Sequence, residues 1–137
     1  MTFAGINYFA IVIAAAAAFV FGGIYYRLLS DHWMKAVGLS KKSKSKRGAR
    51  TPLLITIVAE LVMAWVLAGL IGHLGPGQVT VQNGIVSGAF IWAGFVATTL
   101  VVNNAFGMRK PVLSVIDAGH WLGVLPIMGA IIGAFGV

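Results

Sequence analysis

Residues 53–73 read LLITIVAELVMAWVLAGLIGH, and the only formal charge in that run is Glu60. Wound as a helix at about 1.5 Å per residue, the segment is roughly 30 Å long, which matches the hydrocarbon thickness of a bilayer. Thr56, Glu60 and His73 are too few and too scattered to give it a solvated face. The run therefore reads as a membrane span. The same test, carried outward along the chain, finds three more apolar runs at residues 6–29, 84–106 and 112–135. Each is continuously apolar for about twenty residues instead of alternating over about ten, which predicts helices and not the strands of a barrel.

The whole chain agrees with this reading. Its 137 residues are 59% hydrophobic and 9% charged, with a mean hydropathy of +0.94. Soluble domains carry roughly 25% charged residues, and a chain this small cannot bury so much apolar side chain in one core. A water-soluble globular fold is excluded. The fold expected is an all-α integral membrane protein, a four-transmembrane-helix bundle forming a single domain over residues 1–137. A cleaved secretory signal would carry its basic residues before the apolar run. Here they follow it, so residues 6–29 read as a retained span.

Charge sets the orientation. Ten Lys and Arg stand against three Asp and Glu. Lys35, Lys41, Lys42, Lys44, Lys46, Arg47 and Arg50 fall in the connection 30–51, Arg109 and Lys110 fall in the turn 107–111, and the connection 75–83 has no basic residue. The positive-inside rule makes the first and third connections cytoplasmic and both termini external. Arg27 closes the first span on the cytoplasmic side. Residues 31–39 place Trp33, Met34 and Val37 near one helical face, which predicts a short interfacial helix. Lys41, Lys42, Lys44, Lys46, Arg47 and Arg50 then form a flexible polybasic stretch, each contributing about 1 kcal/mol of attraction to an anionic cytoplasmic leaflet. The stretch has no aromatic residue to stack on a base, and membrane topology accounts for its charge, so nucleic acid is not expected as a partner.

Small residues four apart let membrane helices approach closely. Gly84 with Gly88, Gly119 with Gly123 and Gly129 with Gly133 have that spacing. They predict helix-packing faces, either inside the bundle or toward other chains in a homo-oligomer or a larger membrane complex. Pro52 and Pro111 stand at helix starts, where a missing N–H costs nothing. Pro126 falls inside the last span and leaves the carbonyl of Leu122 without its usual donor, which predicts a bend.

The costly residues are Glu60, Asp117 and His120, because an ionised group near the bilayer centre is unfavourable by about 2.5–3.5 kcal/mol. Counted from Pro52 and Pro111 at 1.5 Å per residue, they lie at roughly similar depths of 9–13 Å. Thr56 is one turn from Glu60, and Thr99 and Asn103 are one turn apart on the third span. With Arg27, these residues predict a polar layer in the cytoplasmic half. A continuous pore needs polar lining at every depth, so the layer reads as a blind pocket. It serves either as a ligand or proton site or as hydrogen bonding that locks the helices together.

Other chemistries find no support in the residues. The chain has no cysteine, and His73 and His120 lie at different depths, unsuited to one haem iron. No metal-ligand spacing, nucleophile or phosphate loop is present, so no metal, no cofactor and no enzymatic activity are expected.

The run Gly22, Gly23, Ile24, Tyr25, Tyr26 with Trp33, then Gly84, Gly88, Trp92, Gly94, Phe95, and finally Pro111, Leu113, Ile116, Asp117, Ala118, Gly119, His120, with Asn7 near the amino terminus, resembles the bacterial four-transmembrane family called domain of unknown function 1761. The resemblance implies a multi-pass protein of the bacterial cytoplasmic (inner) membrane and brings no activity or substrate. Two roles are expected from the residues. One is a non-enzymatic accessory or binding subunit that packs through its glycine faces with other membrane chains or lipids. The alternative is a small oligomeric proton-coupled transporter with its site around Glu60, Asp117 and His120.

Overall fold

The computed structural model describes residues 5–40, 48 and 50–136. Among the described residues there are five helices, α1 (Tyr8–Leu28), α2 (Ser30–Val37), α3 (Arg50–Gly72), α4 (Val81–Phe106) and α5 (Pro111–Phe135). All but α2 are long and apolar enough to cross a membrane, so the chain is an all-helical, multi-pass membrane protein by length and composition. Their bounds all fall within three residues of the expected spans. The polybasic residues Lys41, Lys42, Lys44, Lys46 and Arg47 lie outside the described residues.

Local chemistry explains the helix ends. Asn7 caps α1 by accepting the Ala10 N–H at 3.1 Å, and Thr80 caps α4 by accepting the Asn83 N–H at 3.2 Å; each side-chain oxygen satisfies one of the free N–H groups of a first turn. Asn7 is thus an end cap. α2 stops at Gly38, whose φ of 81° lies in the left-handed region that favours glycine. Pro111 occupies the first turn of α5, as expected. The helix then continues without interruption through Pro126.

α5 is the hub. It packs against α1, α3 and α4, while α1 packs on α3 and α3 on α4, closing a four-helix ring. The core is built from helical stripes: Ile11, Ala14, Ala15 and Ala18 on α1, Ala64, Leu67, Ala68 and Ile71 on α3, and Val124, Leu125, Met128 and Ile132 on α5. The first two stripes repeat at the three- and four-residue spacing of one helix face. Alanine on α1 lets it approach both partners closely. The outer surface is apolar, with Phe90 and Phe95 of α4 at 76% and 73% exposure, as lipid-facing rings are.

The glycines are spent within the chain. A Cβ on Gly84 or on Gly129 would collide with the backbone of the other, one on Gly88 would lie 2.6 Å from the Leu125 carbonyl oxygen, and one on Gly133 would strike Thr80. These four residues bring α4 onto α5, backbone against backbone. Gly119 and Gly123 instead receive the Tyr25 and Phe21 rings of α1. Of the two readings offered by their spacing, internal packing accounts for these contacts; Gly119, Gly123 and Gly133 remain partly exposed. Spacing alone could not distinguish the two, because it does not reveal which neighbour the face meets.

The end of the bundle carrying α2 and the α4–α5 turn is tied together by Lys110, whose Nζ donates to the Lys35 carbonyl at 3.2 Å. α2 folds back on α5, with Ala36 buried beside Leu113 and Ile116 and with Tyr25, Tyr26, Trp33 and Val37 packed around them. This helix roofs the candidate site.

Candidate functional site

Asp117 lies near the α2 end of α5. Tyr26, on the last turn of α1, donates its hydroxyl to Asp117 Oδ1 at 2.6 Å, and Trp33 of α2 is a second side-chain donor to the same carboxylate. An ionised carboxyl accepts at about four lone-pair positions, so two donors leave it capacity for a third partner. Tyr25 donates to the Ile116 carbonyl at 2.7 Å, fixing the end of α1 against α5 just beside Asp117.

Around this carboxyl opens a cleft of about 480 Å³, lined by Tyr26, Ser30, Trp33, Pro52, Thr56, Leu100, Asp117 and Trp121. Every helix contributes to it. Asp117 is its one ionisable group of either sign apart from the phenol of Tyr26, so no cationic side chain in the lining balances it. Three aromatic rings, Tyr26, Trp33 and Trp121, complete the wall.

His120, one turn further along α5, is 4% exposed. Its ring sits among Tyr26 at 4.9 Å between centroids, Tyr25 at 5.7 Å, Trp121 at 4.6 Å and Phe21 at 6.2 Å. Gly22 makes room for it, since a Cβ there would fall 2.7 Å from Nε2. The Nδ1 atom is buried without a hydrogen-bond partner. Trp92 braces the same stretch of α5 by donating Nε1–H to the Ala118 carbonyl at 2.7 Å. It also opens the π-helical turn Trp92–Val96 of α4, an irregularity frequent at functional sites.

The expected polar layer is therefore only partly assembled. Asp117 and Thr56 share the cleft, but Thr56 returns its hydroxyl to the Pro52 carbonyl at 2.8 Å. Glu60 is 1% exposed and lines a different cavity, and neither of its oxygens has a hydrogen-bond partner. Among the described residues no three His, Asp or Glu side chains are grouped so as to hold a metal ion; Asp117 and His120 both meet the Tyr26 ring, while Glu60 lines the other cavity. Counting along the helices does not show which neighbour each side chain faces, and Glu60 faces α1 in a separate cavity. Thr99 and Asn103 are exposed on α4, Thr99 bonding back to Phe95, and Asn104 is the residue that reaches α5, through Ser114 at 3.1 Å. Arg27 is exposed and absent from the cleft lining, as is Arg50.

Sequence reasoning missed Tyr26, Trp33 and Trp121 as site residues. Trp33 was legible only as part of one face of the short helix after the first span. The available signal was the placement of two hydrogen-bond donors, Tyr26 and Trp33, at the same height as Asp117.

Fold and site together define a small helical membrane protein with a single-carboxylate, aromatic-walled cleft. Residues 9–133 match the family DUF1761, described as a protein of unknown function, and the chain belongs to that family. Comparison with curated proteins and with solved structures gave no match.

Proposed function

We propose that the protein is a non-enzymatic binding protein of the bacterial cytoplasmic membrane that holds a small organic cation, of the substituted-ammonium class, in the cytoplasm-facing cleft around Asp117. The carrying observation is the lining itself: one carboxylate without a cationic neighbour, walled by three aromatic rings. An ammonium over aromatic faces gains about 0.5–2 kcal/mol from the ring quadrupoles, and the carboxylate supplies a charge-assisted partner. An anion would meet only Asp117. A bare divalent ion would want six or more oxygen ligands, which this wall does not provide.

Orientation follows from charge, with the α2 end inside and the termini outside. The polybasic stretch and Arg50 rest on anionic headgroups of the cytoplasmic leaflet. An accessory role beside other membrane chains, or a homo-oligomer, would use the exposed apolar flanks of α3 and α4, because the glycine faces are occupied.

The test is a titration of the protein in nanodiscs with tetramethylammonium, read through tryptophan fluorescence. Saturable quenching that is absent with sodium and at least tenfold weaker in Asp117→Asn is the expected result. Equal response of the two proteins refutes the reading. A second reading, a proton-coupled carrier working as an oligomer, is favoured by the buried, unpartnered polar atoms of Glu60 and His120. It requires proton flux in reconstituted vesicles that Glu60→Gln or Asp117→Asn abolishes.

A further inference from the structure

A second cavity, of about 350 Å³, lies between α1 and α3 and shares no lining residue with the Asp117 cleft. Val12, Ala15, Ala16, Phe19 and Val20 of α1 face Ile57, Glu60 and Leu61 of α3 across it. Val12, Ala16, Val20 and Ile57 are exposed on the flank of the bundle, so the crevice opens sideways, where acyl chains lie in a bilayer.

Glu60 is the one ionisable residue in this wall. It is among the most deeply buried side chains of the protein, and both carboxylate oxygens lack a donor. Thr56, one turn away, has already given its hydroxyl to Pro52. Buried polar groups are ordinarily satisfied, and a buried carboxylate without a partner is costly. The apolar walls cannot supply that partner, whereas a molecule entering the crevice can.

We infer that this crevice binds a single-chain amphiphile with an ammonium head group, admitted from the lipid phase. The N–H groups meet the Glu60 oxygens, and the alkyl chain lies along the α1 wall from Val12 to Val20, a length of roughly 12 Å at 1.5 Å per residue. An ammonium brings three donors and the compensating charge together. An alcohol brings one donor and no charge. A metal cation would find no further oxygen ligand here. The inference does not depend on the Asp117 cleft, which lies at the α2 end and shares no lining residue with this crevice.

Decylammonium, decanol and decyltrimethylammonium, titrated into the protein in phosphatidylcholine nanodiscs with empty nanodiscs subtracted, test it. Decylammonium binds saturably, decyltrimethylammonium, which has no N–H, binds at least tenfold more weakly, and decanol shows no saturable site. Glu60→Gln weakens decylammonium binding at least tenfold, and Val20→Trp, a substitution on the exposed rim that leaves the carboxylate in place, weakens it through occlusion. Decylammonium binding that survives both substitutions overturns the inference. So does binding that Asp117→Asn removes and Glu60→Gln leaves intact, which would move the ammonium to the cleft. Failure of tetramethylammonium to bind in the cleft, with decylammonium still held through Glu60, would refute the cleft reading alone.

Discussion

Tyr26 and Asp117 stand 91 positions apart in sequence and meet at 2.6 Å, joining the end of the first span to the start of the last. The bond both closes the bundle at the α2 end and presents the carboxyl to the cleft. Tyr26→Phe keeps the ring and removes only the donor. Hydrogen bonds to charged groups contribute about 1.5–3 kcal/mol, so we expect a loss of that order in unfolding measurements in detergent. Binding of tetramethylammonium should fall less than in Asp117→Asn, since the aromatic wall survives.

The contact of Gly84 with Gly129 predicts a different kind of sensitivity. Either residue changed to alanine drives a methyl into backbone, which cannot rotate aside. We expect Gly84→Ala and Gly129→Ala to destabilise at or above the upper end of the usual overpacking range, about 3 kcal/mol. Gly94→Ala, on the same helix as Gly84 but with nothing near its Cβ, should change thermal stability by less than about 0.5 kcal/mol. Equal effects at Gly84 and Gly94 would contradict the packing described.

Trp92 offers a separation of structure from binding. Its indole N–H holds the Ala118 carbonyl, yet the ring is not part of the cleft wall. Trp92→Phe should cost about 0.5–1.5 kcal/mol of stability and leave the affinity for tetramethylammonium unchanged. Loss of affinity without loss of stability would show that Trp92 belongs to the site.

These expectations show where the sequence was legible. Length and hydropathy located all four spans, because the bilayer imposes one thickness on every crossing. The brief amphipathic pattern at Trp33, Met34 and Val37 located α2. Position along each helix was readable by counting from Pro52 and Pro111. Azimuth was not. Glu60 turns toward the α1 side of α3 while Asp117 and His120 turn toward the end of α1, and the apolar residues surrounding each span give no stripe strong enough to reveal its inward face. For the same reason the expected layer took Asn103, which is exposed, while its neighbour Asn104 is the one that bonds to Ser114 of α5.

The basic residues outside the described part of the chain are open to solution tests. Replacing Lys41, Lys42, Lys44, Lys46 and Arg47 with glutamine removes about 1 kcal/mol of anionic-lipid attraction for each. We expect reduced enrichment of phosphatidylglycerol around the purified protein by native mass spectrometry, and a mixed orientation in cells as the positive-inside bias falls.

The chain has no cysteine, so a single introduced thiol reports on one site without background. Ser30 lines the cleft, and Ser30→Cys places a thiol beside Asp117. A membrane-impermeant maleimide should label it in inside-out vesicles and not in intact cells, and tetramethylammonium should slow that labelling in the presence of Asp117 and not in Asp117→Asn. Labelling from outside the cell, or labelling that the organic cation leaves unchanged, would contradict the assignment of this cleft as an inward-facing cation site.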